Sequence, residues 1–111
     1  METEIQSLEE FNNSIRSNAA VLAFFSSTDC GVCTSLKPKI TDLIARSFPK
    51  ISILHVNMSK TPDIHGQYRI FTAPTIVVFF EGKIAFMKSR NLSIVELEHL
   101  LESPYRMLFD E

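Results

Sequence analysis

Residues 19–33 read AAVLAFFSSTDCGVC, and this stretch decides the fold. The apolar run at 19–25 is unbroken and of strand length, which is typical of a strand covered on both faces. Polar residues end the run, and the motif Cys30-Gly31-Val32-Cys33 follows at once. From Cys33 onward, apolar side chains recur every three or four residues, which predicts a helix to about residue 48, bent at Pro38. The motif therefore lies between a buried strand and a helix.

The rest of the sequence predicts further helices and strands in alternation. Helices begin at capping boxes headed by Ser7 and Ser93 and at Pro62, and strands cover residues 51–56, 75–80 and 84–87. The short turn Glu81-Gly82 makes the last two strands an antiparallel hairpin. Pro104 is expected to end the last helix, and the apolar tail after it either packs on the body or pairs with a partner. This order predicts one α/β domain over residues 1–111, with helices on both faces of a central mixed sheet.

Composition excludes several classes of function. The chain has 111 residues, 45% of them hydrophobic, and a formal net charge of −2, so it has no basic excess for nucleic acid. The apolar run at 19–25 is far shorter than the roughly 20 residues that a membrane helix needs. The first ten residues are acidic and lack the pattern of a secretory signal, so a cytoplasmic location is expected if the chain is complete.

The two cysteines carry the chemistry that the sequence predicts. At a helix N-terminus, unpaired N–H groups and the positive end of the helix dipole stabilise a thiolate, which is the form that attacks disulfides. Cys30, at the exposed end of the turn, is therefore the predicted nucleophile. Cys33 lies close enough to attack the mixed disulfide and release the product, and Gly31 is expected to give the turn its freedom.

Two other interpretations of the cysteine pair are weaker. A zinc site needs about four ligands, and no second cysteine pair or matching histidine spacing is present, so neither a metal nor an organic cofactor is expected. Inert, buried cysteines are disfavoured because Gly31 and the polar residues before Cys30 indicate an exposed position.

The motif, its position and the order of elements resemble the thioredoxin family over nearly the whole chain. The matching features are the strand at 21–25, Cys30 and Cys33, Pro38, Asn57, the helix at Pro62, Ala73-Pro74-Thr75 and the hairpin at Gly82. The resemblance implies the thioredoxin fold, a cis peptide bond at Pro74 beside the dithiol, and a groove at Ala73 that binds a substrate chain as an extra strand. Substrate contacts are accordingly expected at Gly31, Val32, Ala73, Pro74, Thr75 and Arg90.

The sequence also departs from the family pattern at the site. Phe24 and His55 stand where the family usually has a buried Asp and its Lys partner, so the carboxylate proton relay is absent. His55 is either a neutral core residue or a substitute proton relay. Asp29 replaces the usual Trp and opposes thiolate formation, and Val32 replaces the usual Pro. Arg90 replaces a Gly, and it is either a solvated cation or a guanidinium that offsets Asp29 and selects acidic partners.

The resemblance implies a cytosolic thiol–disulfide oxidoreductase that acts on protein disulfides and contributes to cell redox homeostasis. A thioredoxin-reductase-like donor would recharge it, and neither nucleic acid nor a membrane would be a partner. The alternative is a redox-sensing or redox-inactive module that keeps the fold and uses the groove to bind a protein partner.

Overall fold

The computed structural model describes residues 2–90 and 92–110. Helices and strands alternate through these residues, and their bounds are β1 Glu2–Glu4, α1 Leu8–Ser17, β2 Ala20–Ser26, α2 Gly31–Ser47, β3 Ser52–Asn57, α3 Pro62–Gln67, β4 Thr75–Phe80, β5 Lys83–Ser89 and α4 Ile94–Phe109. Both predicted serine N-caps form, since Ser7 accepts a hydrogen bond from the Glu10 N–H and Ser93 accepts one from the Glu96 N–H. The reciprocal half of each capping box does not, because the Glu10 carboxylate accepts from the Gln6 N–H and the Glu96 carboxylate pairs with Lys88. No helix in these two ranges is long and apolar enough to cross a membrane.

The strands form one mixed sheet in the order β1-β3-β2-β4-β5. Strands β1, β3 and β2 are parallel, whereas β4 and β5 continue the sheet in antiparallel pairing. The hairpin between β4 and β5 turns at Glu81 and Gly82, and both have the positive φ that suits a two-residue turn. The predicted α/β class, with helices on both faces of a mixed sheet, is confirmed.

Strand β2 lies at the centre of the sheet and divides two hydrophobic cores. Leu22 and Phe24 face the core formed with α2 and α4, whereas Val21, Ala23 and Phe25 face the core formed with α1 and α3. Alternate side chains of a strand point to opposite faces, so an unbroken apolar run is what a doubly covered strand requires. The end of β2 is therefore fixed from both sides.

Strand β1 was not predicted from the sequence. Its three residues, Glu2–Glu4, pair with β3 in parallel register, and the next residue continues the pairing through an Ile5 N–H bond to the His55 carbonyl oxygen. Two of the three side chains are acidic and none is strongly apolar, so the segment carries no strand pattern. Backbone pairing with an existing strand forms it instead.

The prediction that Pro104 ends the last helix is wrong. Helix α4 runs through Pro104 to Phe109. A proline inside a helix removes one backbone hydrogen bond and its ring crowds the carbonyl four residues earlier. Here buried helix residues on both sides of the proline offset that cost. Tyr105 is buried beside Phe48, with ring centroids 5.1 Å apart, and its hydroxyl accepts a hydrogen bond of 3.1 Å from the Lys50 N–H. The apolar tail thus packs on the body of its own chain.

Truncating Tyr105 tests this docking of the helix. Tyr105→Ala should lower the free energy of unfolding by about 3 kcal/mol or more, because a buried ring is lost. Tyr105→Phe should lower it by only about 1 kcal/mol, the usual net value of one hydrogen bond. Urea denaturation measures both.

Met107 provides the matched control, since it lies in the same turn and is 81% exposed. Met107→Ala should change the free energy of unfolding by less than about 0.5 kcal/mol. Equal stabilities for Tyr105→Ala and Met107→Ala would contradict the packing of the tail.

Candidate active site

Cys30 and Cys33 lie at the start of α2, directly beyond the end of β2. The two residues form a disulfide with Cα atoms 5.2 Å apart. Cys30 is the N-cap of the helix, and its Sγ accepts a hydrogen bond of 3.1 Å from the Cys33 N–H. A sulfur at this position receives an N–H that the helix itself leaves unpaired. The site therefore stabilises negative charge on Cys30 in particular.

The two sulfurs differ in accessibility. Cys33 is 4% exposed and belongs to the core between the sheet and α2, whereas Cys30 is only partly buried. The Cys30 carbonyl oxygen accepts bonds from the N–H and the hydroxyl of Thr34, both at 3.3 Å, which hold the first turn in place. An incoming group meets Cys30 before it meets Cys33.

Gly31 does not have the role that the sequence suggested. Its φ is not positive, and a Cβ atom added there would meet nothing within 4 Å. The turn between the cysteines is thus an ordinary helix start that other residues could adopt. What the glycine provides is open space beside the disulfide.

The Ala73–Pro74 peptide bond is cis and lies in the loop that leads into β4. Thr75 fastens this loop: its hydroxyl bonds to the Thr72 carbonyl oxygen at 2.6 Å and to the Ser89 hydroxyl at 2.8 Å. Thr75 is 0% exposed and its hydroxyl is used within the loop, so the substrate contact expected at this residue stays a prediction. Thr75 holds the loop against the end of β5.

A surface groove brings together several of the predicted substrate residues. It is lined by Val32, Leu36, Ala73, Pro74, Arg90 and Leu92. Leu36 and Leu92 were not among the predicted site residues. Leu36 follows Val32 by four positions on α2, and that helical spacing is the signal that could have identified it.

A second cleft lies on another side of the cysteine pair. Its lining residues are Phe24, Ser26, Ser27, Cys30, Cys33, Thr34 and Lys37. Lys37 was not among the predicted site residues, although it follows Cys33 by four positions on α2 and so shares its helix face. Among the described residues that line this cleft, Lys37 is the charged one.

His55 lies next to Phe24 and is engaged by the N-terminal strand. Its Nε2 is 2.7 Å from the Glu2 Oε1, and its ring meets the Phe24 ring edge-on, with centroids 6.3 Å apart. Phe24 is 1% exposed and lines the cleft at the cysteines, whereas His55 does not line it. This geometry favours the core interpretation of His55, as an anchor for β1, over a proton relay to Cys33.

The contact with His55 changes the pKa of the Glu2 carboxyl group. The hydrogen bond to His55 lowers its pKa below the ordinary value of 4.5, with smaller contributions from Thr41 and the Lys37 charge, and partial burial opposes them. The structure thus contains a carboxylate–imidazole contact on this face of the sheet, but it spans β1 and β3 and not β2 and β3.

No group of three or more His, Cys, Asp or Glu side chains within residues 2–90 and 92–110 could hold a metal ion.

Comparison with known proteins places this geometry in context. A family model described as Thioredoxin matches residues 2–103. The chain is 26% identical over 105 residues to thioredoxin-like protein YdfQ of Bacillus subtilis, covering 95% of this chain and 93% of that protein. It is 32% identical over 80 residues to thioredoxin of Chlamydia trachomatis, covering 72% and 76%. A mutant thioredoxin from Halobacterium salinarum shares the fold with a TM-score of 0.83 at 22% identity, covering 92% and 88%.

Placing a carboxylate at position 24 tests the burial of this face. Phe24→Asp should lower the free energy of unfolding by about 3–5 kcal/mol, from lost packing and a desolvated acid. The double variant Phe24→Asp with His55→Lys should recover part of that loss, because the two charges can pair. Phe24→Leu is the control for lost ring volume, and urea midpoints provide the measurement. A Phe24→Asp variant as stable as the parent would contradict the conclusion that position 24 is buried in an apolar environment.

The Glu2 contact predicts a pH-dependent contribution to stability. Because the folded pKa lies below the unfolded one, the stabilisation is complete above the unfolded value of about 4.5 and is lost as pH falls through the folded value. Glu2→Gln should therefore destabilise the protein near neutral pH by less than about 1 kcal/mol, since the carboxylate is partly exposed. The difference from the parent should shrink below pH 4.5. Urea unfolding from neutral to acidic pH measures it, and a difference that grows in acid would contradict the contact.

Proposed function

This chain belongs to the thioredoxin family and is a thiol–disulfide oxidoreductase, and from that premise we propose that Cys30 and Cys33 reduce or exchange the disulfides of cytoplasmic proteins. Proteins of this family act on protein disulfides. The observation that carries the proposal is the hydrogen bond from the Cys33 N–H to the Cys30 Sγ at a helix N-terminus. It supports a stabilised Cys30 thiolate in the reduced protein.

The difference between the two sulfurs supports separate roles. Cys30 is the attacking thiol, because it is the more exposed and is the sulfur that accepts the N–H bond. Cys33 is the resolving thiol, because it is buried and adjoins Cys30 within bonding distance. Asp29 is exposed immediately before Cys30 and acts against the thiolate, so the helix N-terminus must outweigh one nearby like charge.

The proposed cycle transfers two electrons. The Cys30 thiolate attacks one substrate sulfur, a bond forms between them, and the substrate disulfide breaks to release a thiolate that takes a proton. Cys33 then loses its proton and attacks Cys30, which forms the Cys30–Cys33 disulfide and releases the second substrate thiol. A thioredoxin-reductase-like donor returns two electrons to the protein. In the cytoplasm, where thiols are kept reduced, this cycle would contribute to redox homeostasis.

The loop at Ala73 is the proposed binding edge for the substrate chain. Ala73 is partly exposed, and within the described ranges neither its N–H nor its carbonyl oxygen pairs with another backbone group. Unpaired backbone at a sheet margin accepts an extended chain as an added strand. Val32 and Pro74 line the same groove, and the open space at Gly31 lets the chain approach the sulfurs.

The site differs from the usual family pattern in the groups that could accept the Cys33 proton. The second cleft, with Phe24 as its wall, has no carboxylate among its described lining residues, and Lys37 supplies a positive charge there. A nearby cation favours the Cys33 thiolate but is no base. The Cys33 proton therefore passes to water or to the departing thiolate, and we expect resolution of the mixed disulfide to be the slow step at neutral pH.

Serine variants of the two cysteines should behave differently. Cys30→Ser should abolish disulfide reduction, because the attacking sulfur is gone. Cys33→Ser should attack once and remain bound to its substrate as a mixed disulfide. Insulin reduction with dithiothreitol measures turnover, and non-reducing gels with mass spectrometry detect the trapped complex.

The double variant Cys30→Ser with Cys33→Ser is the background control for both readings. If Cys30→Ser were the one trapped by substrate, the two roles would be exchanged. If the parent did not accelerate insulin reduction over dithiothreitol alone, the groove would serve a binding module and not a reductase.

A further inference from the structure

Arg90 occupies a defined place beside the substrate edge. Strands β4 and β5 pair so that Thr75 lies opposite Ser89, and Pro74 and Arg90 are the residues directly beyond this last pair. The hydrogen bond between the Thr75 and Ser89 hydroxyls fixes the junction. Arg90 lines the groove together with Ala73 and Pro74. Its position relative to the proposed substrate chain is thus set by the sheet.

The backbone of Arg90 is unusual for an arginine. Its φ is +56°, in the left-handed region that favours glycine. A non-glycine residue there is costly for the fold, and such residues cluster at functional sites. The conformation ends β5 and leaves an exposed side chain at the rim of the groove. Arg69, Glu81 and Asp110 share this left-handed conformation, so the case for Arg90 rests on where its guanidinium lies and not on its backbone.

The charge at the groove is positive and comes from Arg90. Among the described lining residues, Arg90 is the charged one, and the others are apolar: Val32, Leu36, Ala73, Pro74 and Leu92. Over residues 2–90 and 92–110, the Arg90 guanidinium has no ion pair or side-chain hydrogen bond. Its donors are therefore free for a group that enters the groove. A guanidinium binds a carboxylate through two parallel hydrogen bonds, and this is the ligand it fits best.

We propose that Arg90 determines the substrate specificity of this protein by selecting disulfides that have acidic residues beside the cysteine. The rest of the substrate segment is extended and apolar or uncharged. The inference rests on the proposed function, since it needs a substrate chain bound along Ala73. Successive residues of an extended chain lie about 3.3 Å apart. A few residues next to the attacked cysteine therefore suffice to follow the groove, which Val32 next to the disulfide, Ala73 and Arg90 line together. A carboxylate there meets Arg90, whereas a lysine meets a like charge.

Matched peptides provide the test. Each contains one intramolecular disulfide, and the three differ only in carrying Glu, Gln or Lys on both sides of the attacked cysteine. The reduced protein is mixed with each peptide in a single turnover, and chromatography follows the reduced product. The rate constants should fall in the order Glu, Gln, Lys, with Glu about five- to tenfold above Lys at low ionic strength. Raising the salt concentration should shrink the preference, because the contact is at the surface.

Variants at position 90 distinguish the effect of the arginine from the intrinsic reactivity of the peptides. The quantity compared between proteins is the ratio of the rate constants for the Glu and Lys peptides. Arg90→Gly should bring the ratio close to the value for dithiothreitol alone, and Arg90→Glu should invert the preference. Arg90→Gly also suits the positive φ, so its urea midpoint should equal or exceed that of the parent.

Arg16 is the matched charge control, since it lies near the end of α1, close to the residue that precedes β2 and remote from the cysteines. Arg16→Ala removes the same charge and should keep the parent ratio. A preference that survives in Arg90→Gly, or disappears in Arg16→Ala, would overturn the inference. A Glu-to-Lys ratio for the parent equal to that for dithiothreitol alone would also overturn it but leave the reductase intact, whereas no reduction of any peptide would instead refute the proposed function.

Discussion

The burial of β2 between two neighbouring strands and two hydrophobic cores is the constraint on which the rest of the structure depends. The strand pairs in parallel with β3 on one side and antiparallel with β4 on the other, and residues 20–25 are buried. Such a strand cannot slip by one residue without exchanging its two faces. Its end is therefore held by both neighbouring strands, and Cys30 caps a helix only a few residues beyond it.

This constraint explains how a weak hydrogen bond to sulfur can define a reactive group. The N-cap position gives Cys30 an N–H that no helical carbonyl could accept, and the buried partner Cys33 is held behind it on the first turn. The loop that contains the cis peptide bond at Ala73 precedes β4, and the buried Thr75 hydroxyl holds it in place through two hydrogen bonds. The cysteine pair and the cis loop thus lie on separate segments that are fastened to the same sheet.

Phe24 and His55 replace the buried Asp and Lys of the family pattern, and the one of them that is ionisable, His55, contacts a carboxylate. Phe24 fills the position beneath the cysteines with an apolar ring, and the neighbouring His55 finds its carboxylate on the edge strand at Glu2. An ion in the interior would need a partner at the same depth, whereas Glu2 is partly exposed and its charge remains solvated. The consequence is an apolar wall at Cys33, with Lys37 as the charged group in the cleft.

The sequence by itself determined the local elements and the attacking motif. The apolar run at 19–25, the helical spacing after Cys33 and the serine N-caps at Ser7 and Ser93 are short-range patterns, and each appears in the structure. Tertiary structure alone decided the rest. It formed β1 from a segment without a strand pattern, because β3 offered free backbone groups. It carried α4 past Pro104, because Tyr105 packs on Phe48. It buried Thr75 and brought Leu36 and Arg90 into one groove, because contacts between distant residues depend on how the sheet and helices pack and not on the order of residues along the chain.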